Sequence, residues 1–286
     1  MSSNLLILRK YAQQAVENLP SSVLFKKSKE NIVIFDAYPK SIFHFLVLPR
    51  LTGQPATGEK DASEVKLDVK RLDSLHALLN GDKKTAKKVI DAMTRDAKDV
   101  KKEIEDEMLD KYGFKWDVWI GFHGAPSMAH LHLHVLSADL CSEKLKVKKH
   151  YNSFHPKLGF FLHLDEVLSW LDAAPSFFDA KVKDLKPSNY EPVLKEALVC
   201  FHCNREIKNV PTLKDHLQEE WDKLQDRAKK AAARSAKLKR KTPEASGNAS
   251  EPKADQNEVV EEEEPESKRL KLGRDSSSED VPPVEC

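Results

Sequence analysis

Residues 121–140 read GFHGAPSMAHLHLHVLSADL, and this stretch decides how the rest of the chain is interpreted. His130, His132 and His134 alternate with aliphatic residues. Because successive side chains of a β-strand point to opposite faces, the spacing predicts three imidazoles on one face of a strand. Such a face is compatible with a polar surface, a metal site or a catalytic centre. We favour catalysis, because metal ligands usually come from several elements, whereas clustered histidines can activate one another.

Two short apolar runs upstream, 32–35 and 43–48, are separated by the turn-like segment 38–41. They predict a β-hairpin in a core sheet. Asp36 closes the first strand, where a carboxylate is either solvated or accepts the hydroxyl groups of a ribose. His44 lies at the start of the second strand, and from its context alone it is a core histidine.

Helical periodicity is present before the hairpin, over 4–18, and after it, over 67–79 and 83–111. Residues 114–122 return to strand character and lead into the histidine stretch. The order helix, hairpin, helices, strand, strand predicts an α+β fold, an antiparallel sheet with packed helices.

The run HLHLHVL (130–136) resembles the signature of the histidine triad superfamily of nucleotidyl hydrolases and transferases. Its flanks, GFHGAPSM (121–128) and KKHYNSF (148–154), resemble more narrowly the aprataxin family, the DNA deadenylase branch of that superfamily. The resemblance covers about residues 1–225. It implies hydrolysis of 5′-adenylated DNA without a catalytic metal, with AMP as product.

The resemblance also implies roles for individual residues. His132 would attack the α-phosphorus, and His130 and His134 would flank it. His123 would stabilise the departing 5′-phosphate. The remaining nucleotide contacts would come from Asp36 on the ribose, from His44 as a fourth active-site histidine, and from Lys40 and Ser127 on the phosphates.

A basic segment follows the triad, and on composition alone it is either a solvated loop or a phosphate-binding surface. The resemblance favours DNA contact. We predict that the contacting residues are Lys148, Lys149, His150, Asn152 and Ser153. The helix predicted over 4–18 would pack on the domain, and the resemblance adds a wedge against the DNA end.

A second motif near the C-terminus has the spacing C-x2-C-x12-H-x3-E, and it begins at Cys200. The spacing of the first three motif positions, Cys200, Cys203 and His216, fits a ββα zinc finger. In such a finger a hairpin supplies thiolates and a helix supplies the other ligands. We predict structural zinc, with the set Cys200, Cys203, His216 and Glu220 as ligands. His202 and Glu219 are the competing ligands. A redox role for the cysteine pair is the alternative.

Composition limits the classes of partner. The chain has 286 residues with 47 Lys+Arg and 46 Asp+Glu, so a nucleic-acid surface must arise from local clustering of charge. Four cysteines do not form a disulfide framework, which favours a reducing compartment. No apolar run approaches the length of a membrane span, and we expect no membrane partner.

These patterns predict three segments: a catalytic domain over 1–175, a zinc-finger domain over 176–228 and a charged tail over 229–286 that is disordered after about residue 240. The runs KLKRK (237–241) and KRLK (268–271) are candidate nuclear-localisation signals. We therefore expect a nuclear monomer acting on adenylated DNA nicks or ends in single-strand break repair. The alternatives are a general triad hydrolase of adenylyl conjugates or dinucleotides, and a DNA-end binding module without catalysis.

Overall fold

A six-stranded antiparallel sheet carries the histidine stretch on one of its central strands. The structure is a computed structural model that describes residues 3–51 and 68–241. The sheet consists of β1 (Leu24–Lys27), β2 (Asn31–Phe35), β3 (His44–Pro49), β4 (Val118–His123), β5 (Leu133–Ser137) and β6 (Phe161–His163). The spatial order is β1-β2-β3-β5-β4-β6, so β5 lies between β3 and β4. The predicted α+β class and the hairpin over 32–35 and 43–48 are confirmed.

The register of β3 and β5 brings two histidines together. His44 lies opposite Leu136, and His134 lies opposite Leu46. Side chains of directly opposed residues share a face, so His44 and His134 form a diagonal pair on the same face of the sheet. On the other side, Gly121 of β4 lies opposite His134. A Cβ at Gly121 would lie 2.7 Å from the ring of Phe161, so a larger residue would not fit there.

The described residues contain eight α-helices. They are α1 (Ile7–Gln13), α2 (Leu75–Leu79), α3 (Lys83–Tyr112), α4 (Lys148–Asn152), α5 (Leu164–Asp172), α6 (Pro175–Asp184), α7 (Pro187–Tyr190) and α8 (Val210–Lys241). The longest helix on the sheet, α3, begins after the N-cap Asp82, which accepts a hydrogen bond from the Thr85 amide, and ends at Gly113 with a left-handed φ of 77°. Its apolar stripe faces β2, β3 and β5.

Three predicted elements differ from the structure. The N-terminal helix is only α1, flanked by 3₁₀ turns at Ser3–Leu6 and Val16–Asn18. The basic segment after the triad is the short helix α4 rather than a loop. The finger helix continues past residue 228 as far as Lys241, because its alanine-rich and basic sequence has high helix propensity. The segment 242–286, including the run 268–271, lies outside the described residues.

Met1–Ala231 forms one compact unit, so described residues on both sides of the predicted 175/176 boundary pack together. The boundary itself stays a prediction. A short hairpin of β7 (Leu198–Val199) and β8 (Glu206–Ile207) precedes α8. One buried cluster joins both segments, and it includes Leu136, Tyr151 and Phe161 from the first and Leu198, Cys200, Leu213 and Leu217 from the second. No helix among the described residues is long and apolar enough to span a membrane.

Side chains of α4 tie the two segments together. The Tyr151 hydroxyl donates to the Val199 carbonyl (2.8 Å) and accepts from the Phe201 amide (3.1 Å). The Asn152 amide group lies within 3.4 Å of the Val193, Leu194 and Glu196 carbonyls, the last at 2.9 Å. Asn152 is fully buried, and it supplies hydrogen bonds to these carbonyls, of which that of Val193 also accepts from the Glu196 N–H (3.3 Å).

Replacing Asn152 with Asp should therefore destabilise the fold. The near-isosteric carboxylate donates no hydrogen bond, and it would face three carbonyl oxygens in a buried place. We expect a loss of about 2–4 kcal/mol in the free energy of unfolding, measured by urea denaturation at pH 7. The matched control is Asn189→Asp, because Asn189 is exposed and its amide donates only to the Asp184 carbonyl (2.9 Å). Equal, small losses in both variants would contradict this account.

Candidate functional site

A relay of hydrogen bonds fixes the protons of two histidines at the centre of the sheet. The Lys40 backbone N–H donates to Nδ1 of His44 (3.1 Å), so the neutral ring of His44 carries its proton on Nε2. That proton is donated to Nδ1 of His134 (3.0 Å). His134 therefore carries its own proton on Nε2, which is buried and has no hydrogen-bond partner among the residues that the structure describes. This N–H is available for an acceptor on a ligand.

His132 has the opposite arrangement. Its Nδ1 lies 2.7 Å from the carbonyl oxygen of His130, which can only accept, so the proton of the neutral ring is on Nδ1. Nε2 consequently has a free lone pair. The ring centroid lies 5.0 Å from that of His134. A neutral imidazole with one nitrogen held by an acceptor is the form in which histidine acts as a nucleophile.

His130 does not share the face of the other two histidines, which corrects the prediction of a regular three-histidine strand. The strand begins only at Leu133, and His130 has a left-handed φ of 98°. Its ring is turned away, and its Nε2 lies 2.7 Å from the Pro49 carbonyl at the end of β3. Its backbone N–H donates to the Asp73 carbonyl (3.2 Å). His130 therefore acts on His132 through its carbonyl group.

His123 completes the cluster from the end of β4. Its ring centroid lies 4.3 Å from that of His134 and 4.6 Å from that of Phe154. A hydrogen bond to the Ser153 backbone holds one side of the ring, and Nε2 is buried without a partner within 3–51 and 68–241. The structure thus brings His123, His132, His134 and His44 together. The sequence did not single out Phe154, whose ring also packs against His44 and His134.

Burial keeps these imidazoles neutral. It lowers the pKa of His44 to about 4 against the attraction of Asp36, and it lowers the pKa of His130 to about 4. The pKa values of His123 and His134 lie well below 6.5, mainly through burial and further through neighbouring histidines. Burial also lowers the pKa of His132. The free protein at neutral pH therefore offers lone pairs and N–H donors rather than imidazolium charges.

The turn before β3 adds charged groups. Asp36 accepts from the Tyr38 amide through Oδ1 (2.7 Å), and its Oδ2 lies 3.5 Å from Nε2 of His44. The ammonium group of Lys40 donates to the Tyr38 carbonyl, and burial lowers its pKa. Ser127 is exposed on the loop between β4 and β5. The turn therefore presents one carboxylate and one ammonium beside the histidines.

The donors of Asp36, His44 and His134 lie within 4.8 Å of one another, the spacing of a metal site. The proton on Nε2 of His44 opposes metal binding there. A metal would need that nitrogen unprotonated, and the proton could not move to Nδ1, because Nδ1 faces the Lys40 N–H. We therefore assign these groups to hydrogen bonding.

The five residues predicted to contact DNA fall into two groups. Lys148 and Lys149 are exposed at the start of α4, and His150 beside them is half-buried. Asn152 and Ser153 are buried and serve the fold instead. Ser153 donates through its hydroxyl to the His150 carbonyl (3.1 Å), and its backbone holds His123. A run of polar residues does not reveal this difference, because one turn of α4 directs Tyr151 and Asn152 into the core.

Three of the four predicted zinc ligands meet. The ligand atoms of Cys200, Cys203 and His216 lie within 4.8 Å of one another, and Sγ of Cys203 is 3.3 Å from Nε2 of His216. Tetrahedral zinc with Zn–S of about 2.3 Å and Zn–N of about 2.0 Å requires ligands separated by about 3.5 Å, so the donor set fits zinc.

The fourth predicted ligand, Glu220, lies outside this cluster of three donors. Its Oε1 pairs with the ammonium group of Lys223 at 2.9 Å. The competing candidate Glu219 lies 4.0 Å from Nδ1 of His216, on the side of the ring away from the cysteines. The Arg205 guanidinium is nearer to that nitrogen, at 3.3 Å, so Glu219 does not lie in the position of a ligand.

Stability should fall as the pH falls, because the unfolded chain binds protons more tightly than the buried histidines do. The pKa of His44 is about 4 in the folded protein and 6.5 in the unfolded chain. Its contribution to the free energy of unfolding is therefore fully present above pH 6.5 and decreases towards pH 4. Going from pH 7 to pH 5, this residue alone should reduce the free energy of unfolding by about 2 kcal/mol. The measurement is urea unfolding of the wild type and of His44→Asn at both pH values. Equal pH dependence in the two proteins would contradict the assignment.

Two family models match the chain. One, described as scavenger mRNA decapping enzyme C-term binding, matches residues 65–150. The other, described as C2HE / C2H2 / C2HC zinc-binding finger, matches residues 157–223. The two matches cover the histidine stretch and the Cys/His cluster respectively.

Relatives match along most of the compact unit. The chain is 31% identical over 202 residues to an aprataxin-like protein of Saccharomyces cerevisiae, covering 66% of this chain and 83% of the relative. It is 29% identical to an aprataxin of Ciona intestinalis over 68% of this chain, but it spans only 42% of that longer protein. A solved structure described as aprataxin ortholog Hnt3 in complex with DNA shares the fold, with a TM-score of 0.54, 24% identity and coverage of 79% of this chain and 98% of that one. With its histidine cluster and its zinc-finger motif, the chain belongs to the aprataxin family.

Proposed function

We propose that this protein is a DNA 5′-adenosine monophosphate hydrolase that removes AMP from abortively ligated 5′ ends in single-strand break repair. The observation that carries the proposal is the hydrogen bond from Nδ1 of His132 to the His130 carbonyl (2.7 Å), which leaves a nucleophilic lone pair on Nε2. Membership of the aprataxin family supports the substrate class. The solved Hnt3 structures, one with DNA and one with DNA and guanosine, support a nucleic-acid end as the ligand.

In the first step, Nε2 of His132 attacks the α-phosphorus of the adenylate. A P–N bond forms, and the bond from that phosphorus to the bridging oxygen breaks. The electron pair leaves with the oxygen of the DNA 5′-phosphate. The proton on Nδ1 stays in its hydrogen bond, which lowers the energy of the positive charge that develops on the ring.

The other groups stabilise charge and fix the substrate. The Nε2–H of His134 is buried, unpartnered and beside the nucleophile, so it can donate to a non-bridging phosphoryl oxygen. His123 donates to the Ser153 backbone, so the neutral ring has a lone pair on Nε2. We assign His123, in the form protonated on Nε2 that a negatively charged substrate favours, to the departing 5′-phosphate. The Lys40 ammonium and Ser127 are assigned to the phosphates, and Asp36 to the ribose hydroxyls. A donor that replaces water in a buried site stabilises the transition state without reorganisation.

In the second step, water attacks the phosphorus of the adenylyl-histidine. The P–N bond breaks, its electron pair returns to Nε2 of His132, and AMP leaves with the oxygen from water. The proton that the water loses passes to solvent or to the phosphates, so the neutral tautomer of His132 is restored. The scheme uses no divalent metal.

DNA binding would rest on surfaces outside the histidine cluster. Lys148 and Lys149 are exposed and can contact backbone phosphates. The zinc-binding segment would add to this surface, and α1 would meet the end of the duplex. Asn152 and Ser153 would contribute only indirectly, through the fold.

Zinc would have a structural role. Cys200, Cys203 and His216 would hold it, and it would fix the β7–β8 hairpin to α8. We propose Glu220 as the fourth ligand, because it lies one turn after His216 and the matched family includes a C2HE ligand set. With four protein ligands the metal has no open position for substrate.

A general triad hydrolase of small adenylyl conjugates or dinucleotides is the second candidate. Its histidine cluster would be the same, but it would need neither the zinc-binding segment nor the exposed lysines of α4. AMP release from adenylated nicked duplex, compared with release from a dinucleotide and an AMP-amine, distinguishes the two. No release from any of these would favour a DNA-end binding module. We also propose a monomer in the nucleus, with residues 237–241 as one signal.

Replacing His132 with Ala should lower kcat for AMP release by at least about a thousandfold while DNA affinity changes less than twofold, because the nucleophile does not contribute to the binding surface. His134→Ala should reduce kcat less, because that residue assists without bonding to phosphorus. The matched control is His76→Ala on α2, which removes a half-buried imidazole outside the cluster.

Adenylated DNA that carries a label in its AMP group would give direct evidence for the covalent step. The enzyme is mixed with labelled adenylated DNA and quenched in alkali, where a phosphoramidate survives, and the labelled peptide is then mapped. We expect label on His132. Label on another residue, or near-normal turnover by His132→Ala, would overturn the mechanism.

Purified protein should contain one zinc per chain, and Cys200→Ser should lose that zinc and lower the midpoint of thermal unfolding. The reason is that the metal replaces apolar burial in a small hairpin-helix unit. Metal analysis of Glu220→Ala against Glu219→Ala tests the fourth ligand. Reduced zinc in Glu220→Ala alone supports the assignment, whereas reduced zinc in Glu219→Ala alone would transfer it to Glu219. Zinc-free native protein would overturn the site.

A further inference from the structure

The aromatic ring of Tyr190 lies directly on the backbone of Gly124. A Cβ built at Gly124 would lie 2.7 Å from Cγ of Tyr190 and closer still to Cδ1 and Cε1, so no side chain fits there while the ring is in place. Gly124 does not have a left-handed φ, so its backbone conformation by itself does not require glycine. The tyrosine ring is therefore what demands glycine at this position.

Gly124 begins the loop that connects His123 to the triad, here called the catalytic loop (124–129). Two backbone hydrogen bonds hold its ends: the Gly124 N–H donates to the Phe160 carbonyl (2.9 Å), and the Ala129 N–H donates to the Leu5 carbonyl (2.9 Å). Between these points the loop carries Ser127, which is exposed. The ring of Tyr190 covers the first of the two anchors and also packs edge-to-face on Phe160, with centroids 6.2 Å apart.

Tyr190 belongs to the connection between α6 and the zinc-binding hairpin, not to the sheet. It ends α7 and is followed by the 3₁₀ turn Glu191–Lys195. The Asn152 side chain holds this turn through the Val193, Leu194 and Glu196 carbonyls. The connection is thus fixed at one side to α4 and touches the catalytic loop at the other.

We propose that Tyr190 is a positioning residue for the catalytic loop: its ring presses on Gly124 and so fixes His123 and Ser127 relative to His132. This proposal rests on the function proposed above for the site. Tyr190 does not touch the reacting atoms, and its hydroxyl group is not needed for the contact. The consequence is that the segment leading to the zinc-binding hairpin contributes to the geometry of phosphoryl transfer.

Reciprocal substitution tests the contact. Gly124→Ala places a methyl group against the ring and should displace the start of the loop, so kcat should fall by about 10- to 100-fold, as for misplacements near 1 Å, with a smaller change in DNA affinity. Tyr190→Ala should lower kcat by only a few fold, because the loop keeps its two backbone anchors. In the double variant the methyl group has room, so kcat should return to the level of Tyr190→Ala. Tyr190→Phe should retain normal kcat.

Two controls separate positioning from general damage. Ser188→Ala alters the same connection at an exposed residue without contact to Gly124 and should leave kcat unchanged. Thermal unfolding of every variant shows whether loss of kcat follows loss of fold. The proposal is overturned if Gly124→Ala is as active as the wild type, or if Gly124→Ala costs the same factor with and without the Tyr190 ring.

The test remains informative if the proposed function fails. If the wild type releases no AMP from adenylated DNA, the wild type, Gly124→Ala, Tyr190→Ala and the double variant are compared for binding of AMP by calorimetry and for thermal unfolding. Coupling between positions 124 and 190 in that cycle, with Gly124→Ala harmful only beside the intact ring, would support the contact. Additive effects of the two substitutions would overturn the proposed role of this contact. Failure of the function and failure of the contact therefore give different results.

Discussion

The hydrogen bond from the Lys40 amide to Nδ1 of His44 is the constraint on which the site depends. A backbone N–H cannot change from donor to acceptor, so it fixes the proton of His44, and through His44 the proton of His134. A separate backbone group, the His130 carbonyl, fixes the proton of His132 in the opposite sense. Two main-chain groups thus produce one N–H donor and one lone pair side by side.

Burial makes this division of roles effective. In water, imidazoles with pKa near 6.5 exchange protons and change tautomer freely. In the folded protein, burial lowers the pKa of every histidine in the cluster, and the ring of Phe154 packs against His134. In the proposed function, neutral rings with fixed protons would face a substrate that brings negative charge. The charge of the substrate can then be met by donors already in place, without reorganisation of water.

Strand alternation predicted the sheet and placed His132 and His134 on one face, whereas His44 and His123 were predicted only from the family resemblance. Sequence patterns failed where the backbone departs from regular geometry. His130 has the residue type and spacing of a strand position, yet its left-handed φ turns the ring to Pro49. Asn152 and Ser153 read as a polar surface, yet one helical turn buries them. Tyr190 carries no sequence signal at all, because its importance lies in contact with Gly124 across the fold.

The packing of the zinc-finger motif could not be predicted for a related reason. Cysteine spacing identifies a metal motif but not the surface on which that motif packs. Here Cys200 is both a predicted zinc ligand and a buried member of the core that includes Leu136 of the triad strand and Phe161. The Ser153 backbone that holds His123 lies next to Asn152, which holds the connection to the hairpin. In the proposed function, a structural metal held by Cys200, Cys203 and His216 would therefore influence catalysis without contact to substrate, because the residues that orient His123 also anchor the segment that would hold the metal.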